Sequence, residues 1–151
     1  MSTSPSELPV AVLGAGPVGL AAVARLIERS LPFFVLEAGD RVGANLLDYG
    51  HVRLFSPWQF NVDHAMAKLL EATGWQHPPL SELPLAGAVA ERVLQPFAEL
   101  PAVKAALQLR TKVVSVSREG FDKVKSKGRE SAPFVIRAVA PKASELPESE
   151  I

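Results

Sequence analysis

Val10-Ala11-Val12-Leu13-Gly14-Ala15-Gly16-Pro17-Val18-Gly19 is the stretch whose reading decides the fold. Its first four residues are a short, wholly apolar run, the pattern of a strand buried on both faces of a parallel sheet. Three glycines follow at GxGxxG spacing, and Pro17 suits the first turn of a helix, where a missing N–H costs nothing. Leu20, Val23, Ala24 and Ile27 continue at helical spacing to Arg29, and Ser30-Leu31-Pro32 ends the helix. Phe33-Phe34-Val35-Leu36 is a second apolar, β-prone run, and it stops at Glu37. Strand, helix, strand within about 30 residues is a βαβ unit, so the spacing predicts a Rossmann-like α/β fold.

A glycine motif alone says little, because glycine is common. Placed between a strand and a helix it has a mechanical reading: Gly14 makes the turn, Gly16 admits a pyrophosphate and Gly19 brings helix and strand together. Ala15, Pro17 and Val18 complete the loop, and the helix N-terminus offers free N–H groups and a positive dipole to phosphate. Glu37, about 20 residues on at the end of the second strand, stands where such a site places an acid against ribose hydroxyls. A carboxylate accepts from both hydroxyls of an adenosine ribose and repels a 2′-phosphate, so the loop is expected to hold FAD or NAD rather than NADP.

Composition narrows the remaining possibilities. Sixteen Lys plus Arg balance sixteen Asp plus Glu, so no global field draws the chain to nucleic acid or an anionic membrane. Cysteine is absent, which removes disulfides, thiolate metal sites and any CxxC redox pair from these residues. The uncharged stretch Val10 to Ala24 lacks a basic flank and is shorter than the roughly 20 residues a membrane span requires. A cytoplasmic setting is the expectation. His51, His64 and His77 share no helical face, so no metal site is expected, and the basic run Lys123 to Arg129, flanked by Asp122 and Glu130, reads as a solvated hairpin tip.

Along the chain, residues 1–8 are expected to be disordered, residues 9–140 to form one partial domain, and residues 141–151 to be a disordered tail. Ala38 to Trp58 reads as a long loop. Val62 to Thr73 reads as a helix, and Ala88 to Leu100 as another that Pro96 should kink or shorten. Leu107 to Ser117 and Phe134 to Ala140 read as strands of a hairpin or meander. The fold class expected is thus α/β, a Rossmann-like βαβ unit with a helical insertion and a β-meander, its sheet expected to be incomplete.

At this point the sequence resembles the two-dinucleotide-domain flavoproteins, the flavin-containing monooxygenase-like and pyridine-nucleotide oxidoreductases. The GxGxxG of residues 14–19 with Glu37 is similar to the family's FAD-binding motif, and Glu37-Ala38-Gly39-Asp40-Arg41-Val42-Gly43-Ala44 to its following Gly-Gly element, with Ala44 in place of the second glycine. The resemblance implies an FAD cofactor contacted by Gly14 to Gly19, Glu37, Ala38 and Gly43. It also implies NAD(P)H as electron donor at a site outside this chain. By position it carries an adenine-contacting backbone to Val113, with Val114 the near alternative. It further implies that Asp48 to Asn61 passes the isoalloxazine ring, where Arg53 can bind phosphate or an anionic flavin, Ser56 a ring edge, and Trp58 can wall the pocket.

The family places a third FAD-contacting strand and an NADPH domain later in its chain, and neither follows Ala140 here. The chain is therefore expected to be part of a catalytic unit rather than a complete enzyme. The first strand is expected to lie between the second and a later, missing strand, leaving an open sheet edge prone to self-association. Two other readings stay open: an NAD-binding dehydrogenase domain using the same loop, and a non-catalytic remnant.

Overall fold

The computed structural model describes residues 8–140, so the expectations for residues 1–7 and 141–151 lie outside the described residues. Strand β1 (Val10–Leu13), helix α1 (Pro17–Glu28) and strand β2 (Phe33–Leu36) form the βαβ unit where the pattern placed it. The two strands pair in parallel, Val10 with Phe33 through Leu13 with Leu36. A two-residue strand β3 (Leu107–Gln108) pairs in parallel on the other side of β2, giving the order β1-β2-β3. β1 is thus an edge, with no strand beyond it among the described residues.

One face of this sheet carries the core. Val12 and Val35 point into it against Leu20, Val23 and Ala24 of α1, and all five are buried. Helix α3 (His64–Glu71) packs on α1, and its start is fixed by Asp63, whose carboxylate accepts from Ala65 N at 2.9 Å and Met66 N at 3.2 Å. That N-cap contributes about 1 kcal/mol. The other carboxylate oxygen of Asp63 meets Arg25 of α1 at 3.3 Å, tying the two helices at their surface. Met66, Leu70, Leu94 and Phe97 fill the space behind them. Truncating any of these to alanine costs about 2–5 kcal/mol.

Four elements differ from the sequence-based expectations. The expected loop Ala38 to Trp58 contains a short helix α2 (Ala44–Asp48), and its second half runs antiparallel to residues 80–87. Backbone bonds from Leu54 N to Pro84 O, Trp58 N to Glu82 O and Ala86 N to Val52 O hold the two runs together. Gly50 and Gly87 cross there so closely that a Cβ on Gly87 would sit 3.2 Å from the Gly50 Cα.

The helix expected to be kinked or shortened by Pro96 runs on through it, as α4 (Ala86–Val89), a π-helical turn (Ala90–Leu94) and α5 (Gln95–Ala98). Proline lacks the N–H that would bond the carbonyl four residues back. That carbonyl belongs to Arg92, and the indole Nε1–H of Trp75 donates to it at 2.7 Å. The widened turn and the indole together replace the missing bond. Helix α6 (Pro101–Ala106), which the sequence reading did not anticipate, follows at once with proline at its first position.

The single strand expected over Leu107 to Ser117 is two. Arg110 takes a left-handed φ of 53°, which bends the chain out of the parallel sheet after Gln108. Strand β4 (Lys112–Arg118) then pairs antiparallel with β5 (Phe134–Val139) as a separate two-stranded sheet, a hairpin rather than a meander. The register slips between Val113 and Ser115, leaving Val114 as the bulged residue.

Candidate dinucleotide-binding site

The loop between β1 and α1 is shaped by three glycines that have three different reasons to be glycine. Gly14 has φ of 96°, a conformation that side-chain-bearing residues rarely adopt. At Gly19 a Cβ would lie 2.0 Å from the Gly14 carbonyl oxygen, so only hydrogen fits where α1 crosses the end of β1. Gly16 has neither constraint. Its φ of −85° and ψ of −173° are ordinary extended values, and a Cβ there would meet no atom within 4 Å. Nothing among the described residues requires glycine at position 16, and the space beside it is open to a group approaching the loop from outside.

What such a group meets is the start of α1. No side chain caps this helix, Pro17 carries no N–H, and the first turn contains no acid. Leu20 is the first residue whose N–H turns back into the helix, to Gly16 O at 3.0 Å, so the N–H groups of Val18 and Gly19 are left for an external acceptor. Val18 is 84% exposed, which keeps this end open. Free donors and the helix dipole give this end the chemistry that suits an anion.

Glu37 lies beside this loop and also builds it. Its Oε2 accepts from Ala15 N at 2.6 Å and its Oε1 from Gly39 N at 2.7 Å. The backbone of Glu37 is held from the other side, its N–H donating to Gln108 O at 2.9 Å and its carbonyl accepting from Thr111 N at 2.8 Å. Each carboxylate oxygen keeps a second lone pair for a hydroxyl donor. The Gly39 to Ala44 segment completes the floor. Gly43 N donates to the buried Ala15 at its carbonyl, 3.0 Å, and Gly43 takes φ of 67° with Leu94 and Ala90 against its Cα. The structure therefore brings together Gly14, Ala15, Gly16, Pro17, Val18, Gly19, Glu37 and Gly43 in one place, with exposed Ala38 at its margin.

The remaining sequence candidates are placed elsewhere in the fold. Arg53 donates to Leu83 O at 3.0 Å and so stitches the antiparallel pair of runs. Ser56 exchanges hydrogen bonds with Asn61, whose amide also reaches Ser56 O at 2.7 Å and Pro57 O at 2.9 Å. Trp58 is 2% exposed in the core with the Arg92 guanidinium 5.4 Å over its ring, so it supports packing and does not wall a pocket. Val113 is half-buried on β4 opposite Ala138, while bulged Val114 is exposed. Sequence reading missed the ladder around Phe55, which is 98% exposed, since no periodicity marks it. In the hairpin tip Asp122 accepts from Val124 N and Lys125 N, and these bonds hold its carboxyl below the usual range. No helix among the described residues is long and apolar enough to cross a membrane.

Residues 12–79 match the family described as NAD(P)-binding Rossmann-like domain. This part of the chain is similar to that family, and its fold is Rossmann-like. The same fold occurs in solved structures of monooxygenases and of a disulfide reductase. A polycyclic ketone monooxygenase from the thermophilic fungus Thermothelomyces thermophila superposes with a TM-score of 0.63 at 16% identity, over 97% of this chain and 22% of its own. A steroid monooxygenase bound to NADP gives 0.58 at 20% identity, over 74% of this chain and 21% of its own. A bacillithiol disulfide reductase from Staphylococcus aureus gives 0.59 at 15% identity, over 87% and 33%. The Rossmann-like domain described here thus spans about a fifth to a third of the length of these neighbours. Comparison with curated protein sequences gives no match.

Proposed function

We propose that this chain is the FAD-binding portion of a flavin-dependent oxidoreductase of monooxygenase type, one that takes its electrons from NAD(P)H bound outside these residues. The observation that carries the reading is the pairing of Gly16, open to an incoming group, with Glu37, whose carboxylate stands at the same loop. The pyrophosphate would be held by the N–H groups of Val18 and Gly19 with Gly16 beneath it, and the adenosine ribose by Glu37.

Charge supports FAD over the other dinucleotides. One neighbour of this fold, OTEMO, was solved in complex with both FAD and NADP. A carboxylate at the ribose repels a 2′-phosphate, so of those two ligands a loop with Glu37 accepts FAD. When bound, the flavin supplies hydride-accepting and oxygen-activating chemistry. This chain's part is to orient it: Glu37 fixes the adenosine end, the α1 N-terminus neutralises phosphate charge, and Gly43 braces the loop through Ala15. An NAD-binding dehydrogenase domain is the second reading, favoured by the family match and equally compatible with Glu37.

Reconstitution separates the two. The chain is incubated with FAD, desalted and examined for the flavin absorbance bands, with NAD and NADP compared by thermal shift. Retained yellow colour and no stabilisation by NADP are the expected result. A colourless protein stabilised by NAD alone overturns the FAD assignment.

A further inference from the structure

The three parallel strands end on the same edge of the sheet, and the chain leaves it there as Gly14 after β1, Glu37 after β2 and Leu109-Arg110 after β3. In open α/β sheets a ligand lies outside these carboxyl ends. Backbone bonds fix Arg110 in that row: Glu37 N donates to Gln108 O at 2.9 Å, Arg110 N to Gly39 O at 2.8 Å and Thr111 N to Glu37 O at 2.8 Å. Its φ of 53° is left-handed, a conformation that glycine and asparagine take at less cost than arginine. Ser30, the other non-glycine residue with positive φ among the described residues, ends α1, where Ser30 N donates to Ile27 O and Leu31 N to Leu26 O. Arg110 ends no helix. The bend into β4 requires the conformation but not the arginine, whose side chain is exposed and has no ion-pair partner among the described residues. Strained residues of this kind cluster at ligand clamps.

We propose that Arg110 is the adenine clamp of this site, its planar guanidinium stacked on the purine of the bound dinucleotide. This rests on the reading that an adenosine ribose lies against Glu37, and it holds for FAD and NAD alike. From a ribose at the end of β2, the pyrophosphate runs toward the α1 N-terminus, which follows β1. The base leaves the other side of the sugar and is directed the opposite way, toward the end of β3. The strand order β1-β2-β3 puts Arg110 there. A guanidinium is weakly hydrated and stacks on π-faces, whereas a lysine ammonium acts as a strongly hydrated point charge. The residue type at position 110 is therefore set by the base, and the backbone accepts the strained φ to hold it. A ligand without a purine gains nothing from this contact.

The 151-residue chain and its Arg110→Gly and Arg110→Lys variants are titrated by calorimetry with ADP, the portion that FAD and NAD share, and the ¹⁵N amides of Gly16, Val18 and Gly19 are followed at saturation. The expected result is a Kd for ADP raised about 3- to 30-fold in both variants, with the three amides still moving. The Tm of Arg110→Gly is expected within a few degrees of the parent or above it, because glycine relieves the left-handed φ. Affinity and stability then part, which a merely structural arginine does not produce. Undiminished ADP affinity in Arg110→Gly overturns the proposal while leaving the dinucleotide reading in place. Parental affinity in Arg110→Lys marks a charge contact to phosphate and overturns the stacking. A Tm lowered further in Arg110→Gly, or loss of the loop-amide shifts, shows that Arg110 builds the loop and overturns the proposal too. A parent that binds no ADP removes both this assignment and the ribose at Glu37.

Discussion

Replacing Gly16 by valine should abolish dinucleotide binding while leaving the fold standing. Gly16 already has extended φ and ψ, which valine favours, and a Cβ there meets no protein atom within 4 Å. The substitution also restricts the unfolded chain. Stability is therefore expected to stay within about 1 kcal/mol of the parent, in the stabilising direction if anything. The ligand suffers instead, because a branched side chain occupies the path by which pyrophosphate reaches the N–H groups of Val18 and Gly19. Each charge-assisted bond contributes about 1.5–3 kcal/mol, so losing both removes about 3–6 kcal/mol. That is roughly two to four orders of magnitude in affinity. Flavin fluorescence quenching measures the affinity and thermal unfolding the stability. Undiminished FAD affinity in the variant would mean that the loop is purely structural, and an unfolded variant would mean that Gly16 serves the protein.

Gly19→Ala should behave oppositely: its Cβ would fall 2.0 Å from Gly14 O, so strand and helix must part, at a cost above the usual 1–3 kcal/mol of overpacking and visible as a lowered Tm. A Gly19→Ala protein as stable as the parent would refute the assigned contact. Glu37→Gln keeps one acceptor oxygen for two donors, Ala15 N and Gly39 N, and should lower both stability and FAD affinity by about 1–3 kcal/mol while NADP gains relative to FAD. Titration and melting curves unchanged by that substitution would remove Glu37 from the site. Trp75→Phe withdraws the donor that caps Arg92 O and should cost about 0.5–1.5 kcal/mol in denaturant unfolding, with no effect on FAD affinity. An unchanged midpoint would show that the π-turn needs no cap.

The βαβ unit was legible because its signals are local. Apolar runs bounded by glycine and proline fix β1, α1 and β2, and the GxGxxG spacing fixes the loop between them. The π-turn was hidden because proline's usual effect is compensated from a distance, by Trp75 reaching Arg92. The break between β3 and β4 turns on the left-handed φ of Arg110, a conformation no residue-type rule assigns to arginine. Among the site residues, Glu37 was singled out by its spacing from the glycine loop, but its bonds to Ala15 and Gly39 are tertiary and left no trace in that spacing. Trp58, Arg53 and Ser56 have structural roles that sequence reading did not anticipate. They secure the packing and hydrogen bonding of the 50–60 and 80–87 runs, through tertiary contacts that residue type and spacing do not signal.

The central claim is that a dinucleotide with an unphosphorylated adenosine ribose lies on the α1 N-terminus, and amide chemical shifts measure it directly. The ¹⁵N-labelled chain is titrated with FAD, NAD and NADP in parallel. The account predicts that FAD moves the amides of Gly16, Val18 and Gly19 together with that of Ala15, which Glu37 holds, and that NADP leaves all four in place. FAD titrated to saturation without movement of these amides, or NADP moving them as strongly, would contradict it.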